Sequence, residues 1–311
     1  MARLTSAESS MRGLFHSGEL EVQERAGVRH QAAKIGSGIH AEISAPYAEF
    51  LRARRWVVAA GLAPDGSLWA SAISGETGFL DAIEAGRLRV AARPIDGDPV
   101  AAALRDGADV GLVAIDLAHR RRVRVNGRVE VRDGGFDVVT REVFGNCPRF
   151  IQARVAGESP AERAPVDSRE SRSLDAAARA WIAGADTFFI ATRSDEAGAD
   201  ASHRGGEPGF VEAVDGARLF WGDYSGNRMF QTLGNLATDP RAGLLFIDFD
   251  AGRTLQLSGR AKVDWDADRA ARVAGAERVV DFTVERVVET AGRAELRAIL
   301  VERSPHNPRT A

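Results

Sequence analysis

The chain has 311 residues, 44% hydrophobic and 27% charged, with a formal net charge of −3. Those values suit about two soluble domains of roughly 150 residues each, and the slight acidity gives no reason to expect a nucleic-acid partner. One cysteine, Cys147, excludes an intrachain disulfide framework and a cysteine-rich zinc site.

The first 45 residues form an N-terminal helical segment. The start, "MARLTSAESSMRGLFHSGEL", lacks the uninterrupted apolar core of a signal peptide, and nothing later approaches a membrane span, so a cytoplasmic protein without a membrane partner is expected. A helix is predicted through "SGELEVQERAG" (17–27), with Leu14, Phe15, Leu20 and Val22 as one apolar stripe. This segment caps a barrel end or forms a lid. The GxG at 36–38 follows no strand, so a dinucleotide phosphate loop is not expected there.

From residue 46 the chain says the same thing twice. "ASAISGETGFL" (70–80) returns as "ASHRGGEPGFV" (201–211), 201 minus 70 or 131 residues later. "GLVAIDLAHRRRVRVNGRVEV" (111–131) returns as "GLLFIDFDAGRTLQLSGRAKV" (243–263), offset 132. Solenoid repeats run to about 50 residues, so a period this long marks a duplicated domain. Each copy opens with a helix, 46–55 and 174–185, that sets Phe50 and Leu51 in register with Trp181 and Ile182. A β-rich run follows each helix, at 56–63 and 187–193. In the late repeat Val123, Val125, Gly127, Val129 and Val131 alternate with polar residues, which is a strand. The parity continues through "NG" (126–127) and "SG" (258–259), so Gly127 and Gly259 are read as bulges or close approaches rather than hairpin turns. With no aromatic residues interleaved, the basic face "HRRRVRV" (119–125) is read as solvated. Residues 154–173, rich in Pro, Ser and charge, form the linker. The domains are therefore 46–153, a degenerate copy, and 174–311.

Scattered histidines without metal-ligand spacing, no G-x-S-x-G elbow and no Walker loop set several reaction classes aside. The two copies differ most at "SHRGG" (202–206) and "FWGDYSGNRMFQTLGNLATDP" (220–240), which only the second carries. A strand here leads through a Ser-Gly turn into a helix predicted to begin near Gly226 to Arg228. Its free N–H groups, with Arg228 beside them, suit a phosphate, and Arg204 on a neighbouring strand offers a second cation. A wall from the first copy is expected through Trp69 and Ser71. Cys147 is expected to be a buried structural thiol, since it lacks a resolving partner.

The run "FWGDYSGNRMFQTLGNLATDPRAGLLFIDF…RTLQLSGRAKV" resembles the FMN-binding split barrel of the pyridoxamine 5′-phosphate oxidase family. With "FHSGELEVQERAGV" (15–28) and "FGNCPRFIQAR" (144–154), nearly the whole chain resembles its branch of predicted flavin-nucleotide-binding proteins, the second half most closely. The resemblance implies a mainly β fold with flanking helices: two tandem split β-barrels closing on each other as an intramolecular pseudo-dimer. It implies FMN as cofactor, bound near Ser202, His203, Arg204, Gly205, Trp221, Gly222, Tyr224, Ser225, Asn227 and Arg228. The family's basic phosphate-binding pair falls on Asn227 and Arg228, so one charge is missing. Tyr224 and His203 are candidates for contact with flavin or substrate. The implied activity is FMN-dependent oxidation or reduction of a small-molecule substrate through hydride transfer at flavin N5. Alternatives are a non-catalytic flavin-nucleotide store or sensor, and a related barrel using a deazaflavin or haem. The family's C-terminal Arg-x-His pattern has no counterpart in 294–311, so pyridoxamine phosphate oxidation is not expected. The oligomeric state is expected to be monomer or homodimer.

Overall fold

The computed structural model describes residues 14–157 and 166–308; the middle of the expected linker, 158–165, lies outside them, as do 1–13 and 309–311. Three helices come first, α1 (Ser17–Arg25), α2 (Arg29–Gly36) and α3 (Ala45–Arg52). The first set of strands follows: β1 (Trp56–Leu62), β2 (Leu68–Ser74), β3 (Leu80–Glu84), β4 (Arg87–Val90), β5 (Asp109–Asp116), β6 (Arg121–Arg132) and β7 (Gly135–Gly145). Two short strands bridge the halves, β8 (Ala153–Ala156) and β9 (Asp167–Ser171). The second half runs α4 (Ala176–Gly184), β10 (Thr187–Ser194), β11 (Gly198–Gly205), β12 (Val211–Ala213), β13 (Arg218–Tyr224), α5 (Gln231–Thr238), β14 (Arg241–Asp248), β15 (Arg253–Asp264), α6 (Ala267–Ala270), β16 (Ala276–Ala291) and β17 (Ala298–Glu302).

The duplication read from spacing appears as two sheets of one topology. The first orders its strands β2-β1-β5-β6-β7-β4-β3, and the second β11-β10-β14-β15-β16-β13-β12, with β9 added on β16. Each strand of the first has its counterpart nine strands later, in the same place. Both predicted bulges are present, with register shifts between Asn126 and Gly127 and between Ser258 and Gly259. A Cβ on Gly127 would strike the Val139 carbonyl, and one on Gly259 the Thr283 carbonyl. Only glycine lets the backbones pass so closely.

Alternation of apolar residues along each strand buries one face in that half's own core. Val57, Trp69 and Leu112 lie in the first; Ile190, Trp221 and Leu244 lie in the second. The opposite faces of β1, β5, β10 and β14 meet in a third cluster, where Val58, Ala60 and Val113 pack on Phe189, Ala191 and Leu245. Burying each large side chain fully is worth about 1.5–3 kcal/mol, so this seam holds the halves firmly together. At its centre Gly111 lies against the backbone of Ala199 to Ala201, and its counterpart Gly243 against Leu68 to Ala70. The linker is more ordered at its ends than its composition suggests, because β8 pairs with β17 and β9 with β16.

Candidate functional site

The seam opens into a cleft. Both halves build it. The first half contributes Arg122 and Arg124 from β6 and the loop through Asn146, Arg149 and Phe150. From the second come His203 to Gly205 at the end of β11, Trp221 to Tyr224 on β13, and Asn227, Arg228 and Phe230 to Leu233 leading into α5.

The charge arrangement decides what this cleft can hold. Arg124 is 5% exposed. Its Nη1 donates to the Asp200 carboxylate at 3.0 Å and to Gln231 Oε1 at 3.3 Å, while Nη2 donates to Ser202 Oγ at 2.5 Å. Arg204 Nη1 donates to the same Ser202 Oγ at 2.7 Å. Arg122 donates through Nη1 to His203 Nδ1 and through Nη2 to the Cys147 carbonyl, both at 2.8 Å. Among the described residues, Arg122 and Arg204 make no ion pair. Burial, then the charges of Arg124 and Arg204, push the Arg122 guanidinium down to about 9. Burial is also the main cause lowering Arg204, opposed by Asp223 and Asp200. Three guanidiniums thus crowd one low-dielectric place. Several nitrogens there are buried without a partner: Nε of Arg122 and Arg124, Nε2 of His203 and Nε2 of Gln231. Buried donors left unpaired cost about 1–3 kcal/mol each, and an anion would satisfy them.

A guanidinium carries no acceptor, so His203 Nδ1 must accept and the ring proton sits on Nε2. Burial first, then Arg122 and Arg204, hold this imidazole well below its ordinary value, so it is neutral. Near the mouth the wall is aromatic. Tyr224 lies against Phe150 with ring centroids 5.3 Å apart, and burial raises its hydroxyl to about 12. Trp221 packs inward on Phe188 at 5.2 Å and is 2% exposed.

Several expectations need correction. The helix beyond the turn starts at Gln231, later than Gly226 to Arg228. Arg228 and Phe230 instead hold left-handed backbone, with φ of 61° and 62°, at about 1 kcal/mol or more each for a side chain other than glycine. Gln231, Thr232 and Leu233 of the first helical turn still line the cleft. The basic face of 119–125 is not solvated throughout, because the second half covers Arg124 and partly covers Arg122. Trp69 and Ser71 form no part of the cleft: Trp69 lies in the first core, and Ser71 Oγ donates to Asp98 at 2.6 Å. Cys147 is half-buried rather than buried, and its backbone carbonyl is what touches the site.

Of the expected residues, His203, Arg204, Gly205, Trp221, Gly222, Tyr224, Asn227 and Arg228 line the cleft. Ser202 lies behind it, bridging Arg124 and Arg204. Ser225 turns its carbonyl to Arg149 at 3.4 Å. Asn227 Oδ1 is taken by the Met229 amide at 3.1 Å. Arg122, Arg124, Arg149 and Phe150 escaped the sequence reading. Their signal lay in the asymmetry at offset 132, where Arg122 and Arg124 stand against Thr254 and Gln256. In the other copy's place Gln256 Nε2 reaches Ser71 Oγ and the Ala70 carbonyl, repeating the Arg124–Ser202 contact without its charge. His203 and Arg204 are there replaced by Ala72 and Ile73.

Residues 174–300 match the family model described as pyridoxamine 5′-phosphate oxidase. Over that segment the chain is similar to the pyridoxamine 5′-phosphate oxidase family. Structural neighbours include a putative pyridoxamine 5′-phosphate oxidase from Lactobacillus delbrueckii, 15% identical, with 38% of this chain and 98% of that one covered and a TM-score of 0.31. A FAD-binding protein from Mesorhizobium loti is 14% identical over 40% of this chain and 98% of its own, TM-score 0.27. A protein titled F420 reductase is 13% identical over 34% and 90%, TM-score 0.26. No curated protein matches. The family segment ends three residues into the final strand and supplies the α5 side of the cleft, whereas Arg122 and Arg124 precede it.

Proposed function

We propose that the chain is an FMN-dependent oxidoreductase acting on a small-molecule substrate, with one FMN in the cleft between two tandem split barrels, residues 46–153 and 174–311. One observation carries the reading: buried Arg124 and half-buried Arg122 and Arg204 line one cleft with the first turn of α5, and Arg122, Arg124, His203 and Gln231 each keep a buried nitrogen without a partner. Backbone N–H groups at a helix start and guanidiniums without a carboxylate partner, here, among the described residues, Arg122 and Arg204, are what a phosphate monoester needs. The family matched by residues 174–300 supports the choice of a flavin nucleotide. Arg122, Arg124 and Arg204 would hold the phosphate, His203 Nε2–H would donate to a ligand oxygen, and Tyr224 and Phe150, their rings tilted by 44°, offer aromatic contact to a ring system. FMN, when bound, would supply the hydride chemistry. The chain's own part is to bind, orient and exclude water.

At the degenerate place Gln256, Ala72 and Ile73 stand for Arg124, His203 and Arg204, and the buried Arg293 there is already paired with Glu295, which supports one site per chain. The test is to titrate the purified chain with FMN, following flavin absorbance near 450 nm and fluorescence, and then to offer reduced nicotinamides and other small donors. Saturable binding followed by bleaching of the bound flavin supports an oxidoreductase. Binding without reduction by any donor supports a store or sensor. Failure of FMN to bind at millimolar concentration refutes the reading.

A further inference from the structure

The N-terminal helices have no counterpart in the second half, and the cleft explains where they go. Val22 of α1 joins the second half's core. The helices lie on the segment 226–230, whose other side lines the cleft.

Three contacts make the junction. At the first, α1 crosses α5 at a pair of glycines. A Cβ on Gly18 would strike the Gly234 carbonyl, and one on Gly234 would lie 2.6 Å from the Glu19 Cα. Side chains at either place would force the helices apart. At the second, the fully buried Gln23 donates its Nε2 to the Met229 carbonyl at 2.9 Å. At the third, Gln31 on α2 accepts a hydrogen bond from Arg228 Nη1. Met229 itself is packed among Phe15, Ala32 and Phe144, with Leu14 and Leu20 against them. Met229 and its neighbours are thus held from outside by a separate segment, in the left-handed conformation that the backbone at Arg228 and Phe230 disfavours.

We infer that residues 14–39 are a clamp on the ligand-facing loop 226–230, so that docking of this segment and occupancy of the cleft are coupled, with Gln31 and Gln23 as positioning residues. Gln31 acts through Arg228, and Gln23 through the Met229 carbonyl. Coupling between two binding events is reciprocal. A ligand that fixes the loop therefore also fixes the clamp.

This inference rests on the reading of the cleft as an FMN site, and two independent arms keep their failures apart. In the first, the full chain is treated with trypsin, which has exposed targets at Arg25 and Lys34, with and without saturating FMN. FMN is expected to slow cleavage there. Gln31→Ala, an exposed position that leaves the cores untouched, is expected to weaken FMN about two- to fivefold, and to have no further effect in an Arg228→Ala background. If FMN binds but protects neither site, and Gln31→Ala leaves its affinity unchanged, the clamp is refuted while the cofactor reading stands. The second arm needs no ligand. Gln23→Leu keeps the volume but removes the donor, and is expected to speed amide hydrogen exchange across 227–236 while strands β14 and β15 exchange as before. Unchanged exchange there refutes the clamp, whether or not FMN binds.

Discussion

Replacing Arg204 by methionine removes its charge and keeps most of its stem. In the protein without ligand, this guanidinium has no carboxylate partner among the described residues, only Ser202 Oγ and the His203 carbonyl. Two other arginines stand beside it, and burial already disfavours its charged form. Losing the charge removes that repulsion and desolvation, at the cost of the attraction of Asp223 and Asp200 and of one or two hydrogen bonds worth about 1 kcal/mol each. The net change in stability is expected to lie within about 1 kcal/mol of zero. For ligand binding the balance is one-sided. A charge-assisted bond to phosphate is worth about 1.5–3 kcal/mol, or roughly ten- to a hundredfold in affinity. Arg204→Met is therefore expected to weaken FMN by that factor, leave riboflavin (which has no phosphate) nearly unaffected, and hardly move the urea midpoint. Fluorescence titration with both flavins, beside urea unfolding, measures all three. Arg228→Ala should cost less, because that side chain sits at the rim and already bonds Gln31. Equal losses for FMN and riboflavin from Arg204→Met would show that the arginine shapes the cleft rather than binding the phosphate, and the argument would fail.

Flavin released per chain after saturation and gel filtration should be close to one; a value near two would mean that the place around Gln256 binds as well. Histidine pH dependence has a definite sign. The His203 imidazole is held well below its ordinary 6.5, so the unfolded chain takes up the proton first and stability falls as pH drops below about 6.5. His203→Phe should flatten that part of the stability–pH curve, and a variant as steep as the parent would place the titration elsewhere. Gly259→Ala should destabilise by about 1–3 kcal/mol, since the new Cβ meets the Thr283 carbonyl. An unchanged unfolding midpoint would mean that the strand relaxes freely at the bulge.

Spacing along the chain determined the repeat, the equivalent order of strands in two sheets, and the bulges at Gly127 and Gly259. These depend on period and local backbone sterics, which a sequence displays directly. The polar turn of the second copy was legible for the same reason: His203, Arg204, Tyr224 and Arg228 differ from their counterparts at a known offset. What tertiary structure alone decided was which strand faces meet. Alternation shows that Arg122 and Arg124 leave their own core, and it says the same of any solvated side chain. Only the packing of β11 and α5 over them turns that face into a buried cluster, with Arg124 on Asp200 and Ser202. The start of α5 was set in the same way. Nothing in "DYSGNRMF" requires left-handed backbone at Arg228 and Phe230, but the docked N-terminal helices hold Met229 and its neighbours there. Long-range packing pays for that local strain, and no window of sequence contains both sides of the contact.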